Sequence, residues 1–317
     1  YGLDGIFRLF GDDYLNVKWS QTYDSQLDNT LGSLDPSFFL INWQRRSEKG
    51  FSYNVGYFYS GQEFTPGIGF VRMNAVQGVN TNLRYGWFPG ENSKLFDYGI
   101  GVSFDRFNRL EDGELESMSV SPEIELSTKK GFRGSIVGEY SEEGVRFPFN
   151  LSDDIAIAPG LYSFYGIRSR INTPQNKMIS FWINLNAGQF YDGNRKGTQI
   201  NANFNISSSF RLGVEYEFNA LRFPERSGAN SLDIHSINMK ALCMLSTKLS
   251  ISGLVQYLNT EDELITNFRL RYNPREGNDF YIVYNDFRGI NRLNSIPEIP
   301  SFFGKTVMVK YTHTFIL

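Results

Sequence analysis

Ionised residues recur at alternate positions along many stretches of this chain, and they are its best candidates for chemistry. Side chains two apart in a β-strand point to the same side, so each alternation gathers its charges on one polar face. Such a face could bind a charged ligand or line an aqueous channel, or it could neutralise itself through cross-strand pairs. The candidates are Arg84, Asp97, Asp105, Glu123, Glu125, Arg133, Arg168, Arg170, Arg211, Glu215, Glu217, Arg269 and Arg271.

Acidic and basic candidates follow one another along the chain. Acidic positions occupy the segments from Asp97 to Glu125, and basic positions follow at Arg133, Arg168 and Arg170. Opposite charges on adjacent strands attract, so we expect cross-strand pairing among them. A charged channel or binding surface is the alternative.

None of the familiar catalytic motifs, GxSxG, HExxH, GxGxxG or the P-loop, occurs in a sequence context that would support it. Each of His235 and His313 is expected at an interface or against a packing neighbour. Asp153 and Asp154 could bind Ca²⁺, but adjacent loop carboxylates usually make turns. A glycosidase carboxylate pair is defined by spatial separation, which a sequence does not give. We predict no enzyme activity, no cofactor and no metal site for this chain.

Charge and cysteine usage exclude further classes. The 31 basic and 34 acidic residues give a net charge of −3, so there is no basic footprint for nucleic acid. The two His are too few for the usual zinc ligand sets, and the single Cys243 cannot form an internal disulfide. We expect Cys243 to pack as a small apolar residue.

The elements that carry the charges are predicted strands of an outer-membrane β-barrel. No run approaches the ~20 apolar residues of a membrane-spanning helix. Instead, 41% hydrophobic and 16% aromatic residues are dispersed in period-two alternation, which dilutes the membrane signal of a barrel strand. In one such stretch Val79, Thr81, Leu83, Tyr85 and Trp87 alternate with Asn80, Asn82, Arg84 and Gly86.

The alternation predicts seventeen strands, as eight hairpins and a final strand, mostly of about 9–11 residues, the length of a tilted bilayer crossing. They are Leu3–Phe10, Tyr14–Tyr23, Phe38–Arg46, Phe51–Ser60, Val79–Trp87, Phe96–Asp105, Met118–Leu126, Phe132–Tyr140, Leu161–Ile171, Met178–Phe190, Thr198–Ile206, Phe210–Phe218, His235–Met244, Leu249–Leu258, Leu264–Asn273, Asp279–Asn285 and Lys305–Leu317.

The last strand, Lys305–Leu317, is the expected closing strand. Its apolar face holds Val307, Val309, Tyr311 and Phe315. Pairing of the last strand with the first would leave no open edge in lipid. Seventeen strands would make first and last run in the same direction, whereas bacterial single-chain barrels usually have an even number. We therefore expect one all-β, antiparallel barrel domain over residues 1–317, with an eighteenth strand from a segment upstream of Tyr1.

The charged candidates are then expected to face the barrel lumen. The loops Asp24–Pro36, Gly61–Ala75, Ser141–Gly160 and Phe287–Phe303 are candidates for folding into it. Aromatic residues near strand ends predict interfacial girdles, and sugar-binding aromatics are the alternative. Four aromatic residues fit a girdle less well: Phe147, Phe149, Tyr162 and Trp182.

Four segments resemble a family of Gram-negative outer-membrane proteins. They are the opening GLDGIFRL, Gly69–Arg72, the stretch FRLRYNPREGNDFYIVYNDFRG from Phe268 to Gly289, and VKYTHTF from Val309 to Phe315. In that family a C-terminal β-barrel domain of unknown function follows an N-terminal domain similar to family-nine carbohydrate-binding modules. The resemblance covers the barrel part only and carries over no catalytic residue.

The resemblance implies a longer parent protein with any sugar-binding module upstream. We expect a non-enzymatic barrel that anchors, or is a subunit for, a carbohydrate-binding or membrane-assembly module. The alternatives are a porin-like channel for small or oligosaccharide solutes, and the membrane part of a glycoside-processing enzyme whose active site lies upstream. Expected partners are outer-membrane lipid and lipopolysaccharide, the upstream segment, other outer-membrane or surface proteins, and glycans.

Overall fold

The computed structural model describes residues 1–23, 33–290 and 304–314. These residues form one antiparallel sheet of seventeen strands and a separate two-stranded hairpin. None of the described segments is a helix long and apolar enough to cross a membrane.

All seventeen predicted strands are present, and the hairpin adds two. Those of the large sheet are β1 (Gly2–Phe10), β2 (Asp13–Gln21), β3 (Ser37–Arg45), β4 (Gly50–Ser60), β5 (Val76–Trp87), β6 (Leu95–Arg109), β7 (Leu115–Thr128), β8 (Arg133–Val145), β11 (Gly160–Asn172), β12 (Ile179–Phe190), β13 (Gly193–Asn205), β14 (Phe210–Arg222), β15 (Ser231–Met244), β16 (Leu249–Leu258), β17 (Glu263–Arg275), β18 (Asn278–Gly289) and β19 (Gly304–His313). The separate hairpin consists of β9 (Phe149–Ser152) and β10 (Ile155–Ile157).

The chain divides into two compact units. Unit 1 comprises Tyr1–Lys129, Arg133–Ser169 and Gly188–Asn194. Unit 2 comprises Lys130–Phe132, Arg170–Ala187 and Arg195–Leu317.

Cross-strand rows in unit 1 keep polar and apolar residues on opposite faces. Gly86, Gly99, Glu125 and Ser135 lie side by side on β5 to β8 in one row. The neighbouring positions on those strands form an apolar row, Tyr85, Ile100, Ile124 and Ile136. We call these the polar and apolar faces of unit 1.

Unit 2 shows the same division. One polar row consists of Arg211, Leu242, Ser252 and Arg269, and an apolar row of Leu212, Ala241, Gly253 and Phe268 lies beside it. The polar face of unit 2 is therefore less uniformly polar, because Leu242 belongs to it.

The apolar faces are exposed rather than packed into a core. Ile124 is 64% exposed, and Ile136, Phe268 and Val309 are also exposed. Few apolar side chains are buried among the described residues; they are Phe64, Val76, Val137, Ile155, Ile157, Leu221 and Phe223. Removing apolar surface from water stabilises a fold by about 25 cal/mol per Å². The exposed apolar faces do not contribute this stabilisation.

Ionised residues on the apolar faces keep to the strand ends. On β1–β8 and β14–β19 the middle of each apolar face carries none. Those present lie within three residues of a strand end: Asp13, Arg45, Arg106, Glu116, Glu142, Arg222, Asp233, Asp286, Arg288 and Lys305. The middle of each apolar face is therefore an uncharged band.

Strand ends differ from the prediction on the side of the longer connections. The segment predicted as a connection between β12 and β13 is mostly strand, leaving Tyr191 and Asp192 as the turn. The loop predicted at Ser141–Gly160 begins only after Val145 and contains the β9–β10 hairpin. The sequence pattern stops early because these ends carry polar residues on both faces, while backbone pairing continues.

Pro122 interrupts the pairing of β7 with β8, as predicted from the sequence. The pairing of β7 with β8 runs to Val120 opposite Tyr140 and resumes at Glu123 opposite Val137. A proline has no N–H for the ladder, so the gap falls at its position.

The expected closing strand is found as β19. It pairs antiparallel with β18, placing Val307, Val309 and Tyr311 opposite Tyr284, Ile282 and Phe280 on the apolar face. Phe315 lies outside the described residues. Pairing of β19 with the first strand, and closure of the sheet, stay predictions.

Candidate functional site

Arg84 joins two of the predicted acidic candidates on the polar face of unit 1. Its Nε donates to Glu125 Oε1, and its Nη2 lies 3.4 Å from Asp97 Oδ2. Its Nη1 also donates to the backbone oxygen of Glu48 at 2.9 Å. The guanidinium lies over glycine: a Cβ at Gly86 would come within 2.6 Å of Nη1. One cation is thus held between two carboxylates, which leaves this cluster net acidic.

Two of the other predicted candidates of unit 1, Asp105 and Arg168, have partners of their own. Ser119 donates to Asp105 at 3.3 Å. Arg168 pairs with Glu139, at 3.0 Å. Glu123 lies between Gly101 and Val137 in its row, and Arg133 lies opposite Ser127.

The expected pairing of the acidic residues from Asp97 to Glu125 with Arg133, Arg168 and Arg170 is not found among the described residues, because Arg168 pairs with Glu139, outside that range. Arg84, closer in the sheet, pairs with Asp97 and Glu125 instead. Arg170 packs over the ring of Trp182 in unit 2, with its guanidinium carbon 5.3 Å from the ring centroid. Trp182, which fits a girdle poorly, therefore has a cation–π role on the polar side of its strand.

Amides, rather than cations, hold the two predicted carboxylates of unit 2. Gln199 donates to Glu215 at 3.1 Å, and Asn219 donates to Glu217 at 2.8 Å. Arg195 reaches Asn219 instead, at 2.9 Å.

The other three predicted cations of unit 2 differ in their partners. Arg271 donates to Asp279 at 2.7 Å and forms an ion pair. Arg211 donates to the amide oxygen of Asn205 at 2.8 Å. Arg269 has no hydrogen bond or ion pair within the described part of the chain. Arg211 and Arg269, with Lys240, line a cavity of about 500 Å³ on the polar face of β13–β17. Their placement inside a lumen stays a prediction.

The loop between β4 and β5 lies against the polar face of unit 1. Phe64 of this loop is 6% exposed and stacks on Phe38, with ring centroids 5.5 Å apart. Phe38 meets Phe58 edge to face at 5.3 Å, and Phe58 meets Phe107 at 5.9 Å. The loop Gly61–Ala75 therefore lies on the polar face, to which the rings of Phe38, Phe58 and Phe107 belong. Its placement inside a lumen stays a prediction.

A cleft of about 1160 Å³ remains between this loop and the strands. Its walls include Lys18, Asn80 and the loop residues Ile68, Phe70 and Arg72. We did not predict this apolar patch on a polar face. The signal was present in Phe38-Phe39 and in Tyr57-Phe58-Tyr59, where aromatic residues at successive positions must occupy both faces.

An aromatic cluster surrounds Tyr191 in the β12–β13 turn. Its ring lies 5.1 Å from that of Tyr162 and 5.6 Å from that of Phe149, both of which fit a girdle poorly. Phe164 and Phe190 complete the cluster. Tyr191 adopts the left-handed backbone conformation, with φ at 51°, which is uncommon for a residue other than glycine.

The Tyr191 hydroxyl donates to Glu143 Oε1 at 3.2 Å. Burial, followed by the negative charge of Glu143, raises the pKa of Tyr191 to about 12. Both effects favour the neutral phenol, so this group serves as a hydrogen-bond donor and not as a base.

The remaining candidates have structural partners. His235 Nδ1 is 3.0 Å from the Tyr216 hydroxyl, and Cys243 lies half-buried opposite Phe210. Asp153 and Asp154 form the turn between β9 and β10. Within the described ranges, no group of three or more His, Cys, Asp or Glu residues could hold a metal ion. No family model and no curated protein matches this sequence.

Proposed function

We propose that this chain is a non-enzymatic β-barrel of the outer membrane of a Gram-negative bacterium, serving as a membrane anchor or subunit. The observation that carries the proposal is the exposed apolar face with an uncharged middle band on β1–β8 and β14–β19. Soluble monomers rarely expose contiguous apolar patches above a few hundred Å².

A lipid environment accounts for both the exposure and the charge distribution. Arg or Lys on a lipid-facing strand costs about 2–4 kcal/mol at the midplane and about 0–1 near the interfaces. The ionised groups of the apolar faces lie at strand ends, where that cost is lowest. Outer-membrane lipid and lipopolysaccharide would be the first partners of this surface.

The anchoring role follows from the family resemblance. An upstream carbohydrate-binding or membrane-assembly module would be held at the cell surface by the barrel. Glycans and other outer-membrane or surface proteins would then be partners of the complete assembly.

Single-tryptophan variants test lipid contact with a built-in control. The chain has 4 Trp, of which Trp43 on the apolar face is 42% exposed, whereas Trp182 is on the polar side of its strand. In liposomes, the fluorescence of a variant that retains only Trp43 should be quenched by lipids brominated on their acyl chains. The fluorescence of a variant that retains only Trp182 should be quenched by aqueous iodide. If iodide, and not brominated lipid, quenches the fluorescence of Trp43, the proposal is contradicted.

A porin-like channel for small or oligosaccharide solutes is the second candidate. Charged side chains and two open cavities on the polar faces favour it. If the chain is a channel, reconstitution into planar bilayers should give steady conductance. An absence of conductance, with insertion of the protein verified, would reject the channel and leave the anchor proposal intact. The upstream-enzyme alternative stays a prediction, to be tested by turnover of glycans with the complete protein.

A further inference from the structure

We propose that the polar face of unit 2 contains a binding site for a hydroxyl-rich organic anion, of the acidic-oligosaccharide class. The site is the cavity of about 500 Å³ lined by Arg211, Lys240 and Arg269. The inference goes beyond the proposed membrane role and depends on neither conduction nor anchoring.

Strand register brings the three cations together from distant parts of the sequence. Arg211 and Arg269 share one row, separated by Leu242 and Ser252. Lys240 lies in the next row, between Gly213 and Leu254. With strands about 4.8 Å apart, the row from Arg211 to Arg269 spans about 14 Å. The lysine lies between them, so an extended anion could meet all three.

The charge of this cavity is not compensated by its own residues. Glu215 is the one carboxylate among the lining residues, and it accepts a hydrogen bond from Gln199 at 3.1 Å. Three cations against one carboxylate leave a formal charge of +2. Lys240 and Arg269 have no hydrogen bond or ion pair to any described residue.

Neighbouring arginines show that the fold can neutralise such charges. Arg271 lies two residues from Arg269 on the same face and pairs with Asp279 at 2.7 Å. In unit 1, Arg84 is held by both Asp97 and Glu125. Three cations beside a single carboxylate repel one another, and a bound anion would reduce that repulsion.

Amide side chains supply the groups that hydroxyls need. Asn203 donates to Asn201 at 3.0 Å, and Gln256 donates to Asn238 at 2.9 Å. These contacts use Nδ2 of Asn203 and Oδ1 of Asn238. The other polar atoms of the two amides, Asn203 Oδ1 and Asn238 Nδ2, have no hydrogen-bond partner among the described residues. An acceptor and a donor beside three cations suit a polyhydroxylated acid better than a bare ion.

Equilibrium binding to the full chain in detergent tests the site, with trigalacturonate as probe and its uncharged trimethyl ester as reference. We expect the acid to bind at least tenfold more tightly than the ester. Each of Arg269→Gln and Lys240→Gln should weaken binding of the acid about tenfold. The matched control is Arg271→Gln, whose guanidinium is already paired, and it should change the affinity less than twofold.

Several results would overturn the proposal. They are no binding by the unsubstituted chain, equal affinities for acid and ester, or equal losses in Arg271→Gln and Arg269→Gln. Inorganic sulfate displacing the acid at comparable concentration would also reject the hydroxyl-rich class. All positions changed are exposed, and intact strand content measured by circular dichroism separates lost binding from lost folding.

Discussion

Arg45 forms a bidentate ion pair with Asp13 across the β2–β3 pair. Its Nε is 3.2 Å from Oδ1 and its Nη2 is 3.0 Å from Oδ2, while Tyr53 donates to Oδ1 at 2.7 Å. The side chain of Asp13 is only 1% exposed, although it lies at the end of its strand. These contacts tie three consecutive strands at the edge of the apolar band.

Asp13→Asn should lower the unfolding temperature more than Tyr53→Phe does. The first change removes the negative charge that balances Arg45, whereas the second removes one hydrogen bond and keeps the ring. Thermal unfolding of the purified chain in detergent, followed by circular dichroism, measures both. An equal loss in the two variants would show that the charge of Asp13 contributes no more to stability than the Tyr53 hydroxyl does.

Ile124→Arg should make the free energy of folding into liposomes less favourable by up to about 2–4 kcal/mol, the cost of a cation at the midplane on a lipid-facing strand. The matched control is Ser121→Arg, on the same strand but on the polar face, opposite Ser103. It should change the free energy much less. Reversible denaturant unfolding in liposomes gives both values, and equal costs would count against a lipid-facing apolar side.

Phe64→Ala should release the loop between β4 and β5 at a cost of about 3 kcal/mol, the lower value for truncating a buried Phe. Phe70 of the same loop is 89% exposed, so Phe70→Ala should change the free energy by less than about 0.5 kcal/mol. Hydrogen exchange of residues 61–75 reports loop release. Unchanged protection in Phe64→Ala would show that the stack on Phe38 does not hold the loop.

Glu143→Gln should lower the pKa of Tyr191 from its value of about 12, because it removes the negative charge beside the phenol. The raised pKa means that this phenol stabilises the folded chain fully below about pH 10. That contribution is lost as the pH rises from about 10 towards the folded value. Ultraviolet titration, with Tyr191→Phe subtracted to isolate the group, measures the pKa. An unchanged pKa in Glu143→Gln would assign the shift to burial alone.

The sequence by itself determined the positions of all seventeen sheet strands and the division of most strands into a polar and an apolar face. Both are local properties, because side chains alternate with a period of two whatever the strand pairs with. It also determined the ladder defect at Pro122, which needs only the missing N–H. The alternation failed at the C-terminal end of β8 and the N-terminal end of β13, where polar residues on both faces hide strand that backbone pairing continues.

Only the tertiary structure decided which charges meet. Arg84 and Glu125 are separated by an intervening strand and by 41 positions in sequence, so their contact depends on the relative register of three strands. The same dependence gathered Arg211, Lys240 and Arg269 around a single carboxylate, Glu215, and placed Phe64 on Phe38. Register is set by turns and by packing along whole strands, and a residue's own neighbours in sequence carry little information about it.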